Sequence, residues 1–175
     1  MSEPQAFLQA AEAQLGPRGL TRDAELIEPW LTDWRGRFHG RAQAMASPAN
    51  AEELAANPRL DRWFIQDLNR DTTLPLDSGA FDGALCCVGV QYLQRPYDVF
   101  AEVQRVLAHG APCVVSFSNR CFPTKAVAVW RSLNMNGQAS LVRHYLEHAG
   151  FRDAEVRVLA DGAAGDPLIA IAAYA

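Results

Sequence analysis

The sequence predicts an α/β fold, and three observations carry that prediction. From about Arg62 onward, short apolar runs alternate with segments of helical periodicity, the pattern of strands and helices taken in turn. The runs Phe81 to Val90 (FDGALCCVGV) and Ala111 to Phe117 are apolar on both faces, as expected of strands in a parallel sheet covered by helices on each side. The length of 175 residues suits one ordinary domain. A chain of this size buries about 68–70% of its unfolded surface, enough for a real core.

Taken in order, the first 60 residues read differently from the rest. Residues 6–15 form a helix that Pro17 and Gly19 break. Residues 23–34 have apolar side chains at Ala24, Ile27 and Leu31 and at Leu26 and Trp30, which is helical spacing, and Thr21 can cap them. Pro29 would remove a ladder donor from a central strand, so helix or loop is expected there rather than strand. Residues 41–46 read as a strand, and residues 50–56 as a short helix capped by Asn50 and stopped before Pro58.

The second part starts with the strand Trp63 to Gln66, which runs into Asp67, followed by the strand at 81–90. Residues 98–108 place Val99, Phe100, Val103, Val106 and Leu107 on one helix face, with Glu102 and Arg105 outward and His109-Gly110 as the close. The strand at 111–117 comes next, then a helix over 138–148 that stops at Ala149-Gly150. Two late strands, at 154–159 and 168–173, flank the turn-rich 161–166.

Composition excludes several classes. Hydrophobic residues make up 49% and charged residues 21%, so a disordered chain is out. The net charge is −4 and no block of Lys or Arg occurs, which argues against nucleic acid as a partner. No apolar run reaches the length of a membrane helix, and residues 1–15 lack the cationic start and apolar stretch of a signal peptide. Cys86, Cys87, Cys113 and Cys121 lack C-x-x-C spacing and read as free thiols in a reducing compartment, so a cytoplasmic location is expected.

Residues 50–160 resemble the later half of a class I S-adenosylmethionine-dependent methyltransferase of the type 11 kind. The matching stretches are Asn57-Pro58-Arg59-Leu60, Gln66-Asp67-Leu68-Asn69, Phe81-Asp82 and Val90-Gln91-Tyr92-Leu93. They continue through Val99-Phe100-Ala101-Glu102, Arg105-Val106-Leu107, Ser116-Phe117-Ser118-Asn119-Arg120, Lys125-Ala126, Trp130-Arg131 and Ala149-Gly150-Phe151. The resemblance implies a partial Rossmann-like sheet, mostly parallel with its last strand reversed and flanked by helices. Ligands of such a sheet sit beyond the carboxyl ends of its strands. It therefore implies S-adenosylmethionine as cofactor, held by Asp67, Leu68, Cys87 and Val88, with Asp67 beside the adenine amino group. Gln91 and Tyr92 would face the methyl acceptor, a small molecule, and Ser118, Asn119 and Arg120 would form its other wall.

The family also holds its cofactor through a first strand ending in a glycine-rich turn, where the backbone must approach the ligand closely. The glycines ahead of residue 79 are Gly16, Gly19, Gly36 and Gly40, and none form G-x-G. Residues 6–54 resemble instead the extreme N-terminus of an FAD-linked oxidoreductase of the D-lactate or glycolate oxidase type. The residues are Phe7-Leu8, Leu15-Gly16-Pro17, Leu31-Thr32-Asp33-Trp34-Arg35-Gly36, His39-Gly40-Arg41-Ala42, Ser47-Pro48-Ala49 and Glu52-Glu53-Leu54. That segment precedes the flavin domain in the family and implies no FAD site here. Residues 1–49 and 50–175 are thus expected as two segments joined at a seam.

Other signals yield to simpler readings. Adjacent strand residues point to opposite faces, so Cys86 and Cys87 are expected to pack rather than to pair. His144-Tyr145-Leu146-Glu147-His148 spells H-x-x-E-H, yet the only glutamate downstream is Glu155, so no metal is expected. The expected function is methyl transfer to a small acceptor, weak or lost because half of the cofactor site has no counterpart. The alternatives are a non-catalytic interaction domain whose open sheet edge is covered by a second copy or another protein, and, behind it, a remnant of an FAD-linked oxidoreductase.

Overall fold

The computed structural model describes residues 43–46, of which only the backbone is considered, and residues 62–175 apart from Ala164. Strand β1 (Gln43–Ala46) pairs in parallel with β2 (Arg62–Ile65), Gln43 opposite Arg62 and Ala46 opposite Ile65. Then follow β3 (Ala84–Cys87), α1 (Pro96–Val106), β4 (Pro112–Ser118), α2 (Ala128–Ser132), α3 (Met135–His148), β5 (Arg152–Ala160) and β6 (Leu168–Tyr174). β5 runs up to the loop at Asp161, and its hairpin with β6 reverses the chain.

The second sheet runs β3-β4-β6-β5. β3 and β4 are parallel, while β6 is antiparallel to both of its neighbours. The reversed last strand is therefore present, and because it lies inside the sheet it adds two antiparallel pairings. Antiparallel pairing outweighs parallel in this sheet, more than the sequence led one to expect. Among the described residues no strand bridges β2 and β3.

The helix-covered face is a continuous core. Cys113, Val115 and Phe117 of β4 and Ile169, Ile171 and Ala173 of β6 meet Phe100 of α1 and Val142, Tyr145 and Leu146 of α3. Burying a side chain such as Phe117 or Leu146 in full stabilises the fold by about 1.5–3 kcal/mol. Trp130 of α2 meets Phe117 edge to face at 4.8 Å between ring centroids. The other face of β4 and β6 carries Val114, Leu168, Ala170 and Ala172, also buried. This is why β4 reads as apolar throughout.

Several boundaries differ from expectation for local reasons. The apolar run 81–90 supplies only a four-residue strand. Phe81 makes an isolated bridge to Leu107, and Val88 turns the chain at a φ of 49°. Helix α1 starts at Pro96, whose missing N–H costs nothing in a first turn, and ends at Val106. Gly110 does adopt a left-handed φ of 79°, but in the turn into β4, where its N–H donates to Ala175 O. At the end of α3 the expectation holds: Gly150 has a φ of 96°, and Phe151 N–H donates to Leu146 O. Asn134 caps the start of α3 by accepting from Gly137 N–H at 2.9 Å, so that helix begins three residues earlier than its apolar pattern.

Glu102 and Arg105 do not point into solvent as periodicity alone suggested. They form a two-pronged ion pair on α1, and Glu102 also accepts from Leu74 N–H at 2.9 Å. Arg105 donates to the carbonyls of Leu74 and Leu76 and to Ser78 Oγ. The pair thereby fastens the loop between β2 and β3 to the helix. The Arg105 hydrogen bond is the main reason the Glu102 carboxyl is held below its ordinary pKa.

No described helix is long and apolar enough to cross a membrane. The helices expected at 6–15, 23–34 and 50–56, and with them the seam, lie outside the described residues.

Candidate functional site

The carboxyl ends of β2, β3 and β4 are joined by backbone-directed hydrogen bonds. After β2, Asp67 caps a tight turn: its Oδ1 accepts from Asn69 N–H at 3.0 Å, and its carbonyl accepts from the N–H groups of Arg70 and Asp71. The Asp67 side chain is exposed and its second oxygen carries no bond. Asn69 then reaches across to the turn after β3. It donates to Tyr92 O at 3.0 Å and accepts from Gln94 N–H at 2.8 Å. Tyr92 in turn accepts through its hydroxyl oxygen from Phe122 N–H at 3.0 Å, fastening the loop after β4. Asn69 and Tyr92 hold three loops in one arrangement.

Between these struts the chain breaks local rules. Val88, the residue after β3, is β-branched yet left-handed, a conformation that costs about 1–3 kcal/mol. Its N–H donates to Ser116 O at 2.9 Å, which pins the turn against β4. Gln91, in the short 3-10 turn Val90–Tyr92, is fully buried, and neither atom of its amide has a hydrogen-bond partner among the described residues. The Ser116 hydroxyl, 2% exposed as a residue, has no oxygen or nitrogen partner among the described residues and lies against the Cys87 thiol. Unpaired buried polar groups cost about 1–3 kcal/mol each, so these atoms are open to a further partner.

The remaining residues singled out from sequence sit around this cluster. Cys87 lies opposite Ser116 in the ladder and is exposed as a residue. Crowding around its sulfur raises the thiol pKa, and the Ser116 hydroxyl beside it acts in the opposite direction. Burial pushes the Cys86 thiol up to about 12, with the neighbouring Cys87 adding to the effect, and burial also raises Cys113. All three are therefore thiols at neutral pH rather than thiolate nucleophiles. Leu68 is half-buried in the turn after β2. Ser118 is buried and accepts from Arg120 N–H at 3.2 Å. Asn119 and Arg120 are exposed, and Arg120 forms an ion pair with Asp166 of the β5–β6 loop.

The structure thus gathers Asp67, Leu68, Cys87, Val88, Gln91, Tyr92 and Ser118 to Arg120 at one end of the strands. Sequence reading left out Asn69 as a strut and Ser116 as a buried hydroxyl; no spacing rule reveals either, because both depend on neighbours distant in the chain. A cavity of about 330 Å³ lies apart from all of these, between the start of α1 and Val127, Val129 and Tyr145. Among the described residues no group of three or more His, Cys, Asp or Glu side chains could hold a metal, and His144 and His148 instead pack around Tyr97.

This fold, with a turn-rich ligand end on a mixed sheet, is that of the S-adenosylmethionine-dependent methyltransferases. Residues 37–115 match the family model described as a methyltransferase domain. A methyltransferase of this class from Archaeoglobus fulgidus superposes with a TM-score of 0.59 at 13% identity, over 97% of this chain and 99% of that one. One from Aquifex aeolicus gives 0.56 at 19% identity, over 98% and 89%. A complex of a methyltransferase and its activator from Haloferax volcanii gives 0.55 at 18% identity, over 83% and 76%. No curated protein matches the sequence significantly. The methyltransferase resemblance is thereby shown, as a domain over 37–115 and as a fold over nearly the whole chain.

The residues at the strand ends offer polar atoms to a ligand. The free Asp67 oxygen can accept from an amino group such as that of adenine, and the Val88 turn with Gln91 and Ser116 offers polar partners to a ligand. The ribose and glycine-turn half has no such counterpart in the sequence.

Proposed function

We propose that this chain is a methyltransferase-fold domain that binds S-adenosylmethionine weakly and transfers its methyl group to a small acceptor slowly or not at all. The observation that carries this reading is the lack of any G-x-G ahead of residue 79 in a chain whose residues 37–115 match the domain. In a doubly wound sheet of order 3-2-1-4-5, β2 and β1 would take the third and second places and β3 and β4 the fourth and fifth. The first place, which carries the glycine turn in such a sheet, would fall on residues ahead of Gln43, outside the described residues.

Methyl transfer rests chiefly on holding donor and acceptor in line, worth about 7–11 kcal/mol in well-oriented systems, and half a site forfeits much of that. Asp67, Leu68, Cys87 and Val88 would hold what cofactor is bound. Gln91 and Tyr92 would border the acceptor, with Ser118, Asn119 and Arg120 on the far side. Calorimetry with S-adenosylmethionine tests the reading. Weak, non-saturating heats are expected, and micromolar binding lost in Asp67→Ala would overturn it in favour of an active enzyme.

A second reading, a non-catalytic interaction domain, is favoured by exposed apolar side chains at the sheet edge, Val156 and Val158. The Haloferax neighbour, crystallised with an activator protein, shows that this fold can be seated on a partner. The expected cytoplasmic location belongs to either reading.

A further inference from the structure

We propose that β5 is a self-pairing edge, through which two copies of this chain join their sheets about a two-fold axis at Val156. The inference does not depend on whether the domain binds a sulfonium donor. β5 is the outer strand of the β3-β4-β6-β5 sheet, nine residues long and without Lys or Pro, the residues that commonly blunt an edge. Val156 and Val158 are 46% and 55% exposed, the former opposite Ile171 and the latter opposite Ile169, both residues of the helix-covered core. Two valines therefore extend the core to the rim of the sheet and stop there.

The strand is regular only in its middle. Register shifts fall between Arg152 and Glu155 and between Val158 and Ala160, and Asp153 is left-handed at a φ of 56°. These irregularities bend both ends away and leave Ala154 to Val158 as the segment able to pair. Within that segment the sequence selects both the occupant and the register. An antiparallel copy centred on Val156 sets Val156 against Val156, Ala154 against Val158, and Glu155 against Arg157. On one face this makes an apolar row. On the other, the existing Glu155–Arg157 ion pair, 2.7 Å within one chain, becomes a square of alternating charge. Moving the centre by one residue sets Arg157 against Arg157 or Glu155 against Glu155. A second copy of this chain is thus the partner whose charges match, and Val156 is the register at which they do. A ladder this short implies a reversible dimer rather than a permanent one.

Sedimentation velocity on the full chain over a range of concentrations tests this. The expected result is a monomer–dimer equilibrium. Glu155→Arg, which sets like charges opposite each other twice, weakens it roughly tenfold. The double variant Glu155→Arg/Arg157→Glu restores it, because both copies carry the exchange. Val156→Cys, oxidised, yields a reducible species of twice the chain mass that the unsubstituted chain does not. Far-UV circular dichroism checks that each variant is folded. A chain that stays monomeric to its solubility limit overturns the proposal. So does a dimer indifferent to Glu155→Arg, or a folded double variant that fails to recover.

Discussion

Two glutamines are buried in the described part of this domain, and the fold pairs them to different degrees. Gln138, on α3, donates through its amide nitrogen to Trp130 O at 3.0 Å and to Leu133 O at 3.2 Å, closing the end of α2 onto the start of α3, while its amide oxygen has no partner among the described residues. Gln91, just after β3, is more deeply buried and has no partner for either amide atom among the described residues. The first lies in the helix layer, the second at the carboxyl ends of the strands. The helix-covered body therefore pairs its buried amide in part, while the amide at the strand ends is left wholly unpaired among the described residues. Where local rules fail together, as at Val88, Gln91 and Ser116, a functional demand is the usual cause.

The sharpest way to expose that contrast is to remove a side chain from the body. Leu146, fully buried on α3, is expected to cost about 2–5 kcal/mol as Leu146→Ala, read as a lower urea midpoint at unchanged slope. A loss below about 1 kcal/mol would mean that the body is as loosely built as the strand ends.

Alkali should also act on the body. Cys86 and Cys113 pack on the helix-covered face with thiols raised above their ordinary pKa of 9.0, Cys86 to about 12. A raised folded pKa means that the native state prefers the protonated thiol. That contribution is fully present below about pH 9 and is lost as pH rises toward the folded value, by about 1.4 kcal/mol per pH unit for each thiol. Urea midpoints measured from about pH 8 to pH 10.5 should fall, and Cys113→Ala should make the fall shallower. A flat profile would show the thiols to be open to water.

Much of the body was legible in the sequence because its signals are local. The 3.6-residue rhythm of Val99, Phe100, Val103 and Val106 located α1, and the unbroken apolar run located β4, buried on both faces as read. The helix stop at Gly150 needed only its own left-handed φ. What escaped was non-local. Glu102 and Arg105 looked solvated because periodicity reports a helix face, not the loop 74–78 that returns to lie on it. The short length of β3 escaped because a strained Val88 cannot be told from a strand valine by composition. Of the candidate site, Asp67 and the segment after β3 were placed by resemblance. Asn69, which ties them together, was not, since its partners lie more than twenty residues away.

The glutamine pair gives a more direct test of the contrast. Gln138→Leu removes the donor to two carbonyls and should lower stability by about 1–3 kcal/mol. Gln91→Leu keeps the shape of an amide that is already unpaired. It should leave the free protein unchanged or raise its stability by up to about 1–3 kcal/mol. Opposite signs from one substitution, measured by thermal melts of the two variants side by side, would confirm that the strand ends carry strain the body does not. Equal losses would mean that Gln91 has partners in solution.

The smallest effect expected is at Val88. Its φ of 49° is costly for a β-branched residue, by about 1–2 kcal/mol, and Val88→Gly removes that strain. Glycine also makes the unfolded chain more flexible, which takes back roughly 0.5–1 kcal/mol. The net gain should therefore lie between about zero and about 1.5 kcal/mol, in contrast to Val114→Gly, where a buried strand residue is lost and stability must fall. If Val88→Gly instead destabilises by more than about 1 kcal/mol, the turn is held by contacts of the valine side chain rather than merely tolerated. The strand end would then belong with the packed body, and the case for a strained ligand-binding turn would rest on Gln91 and Ser116 alone.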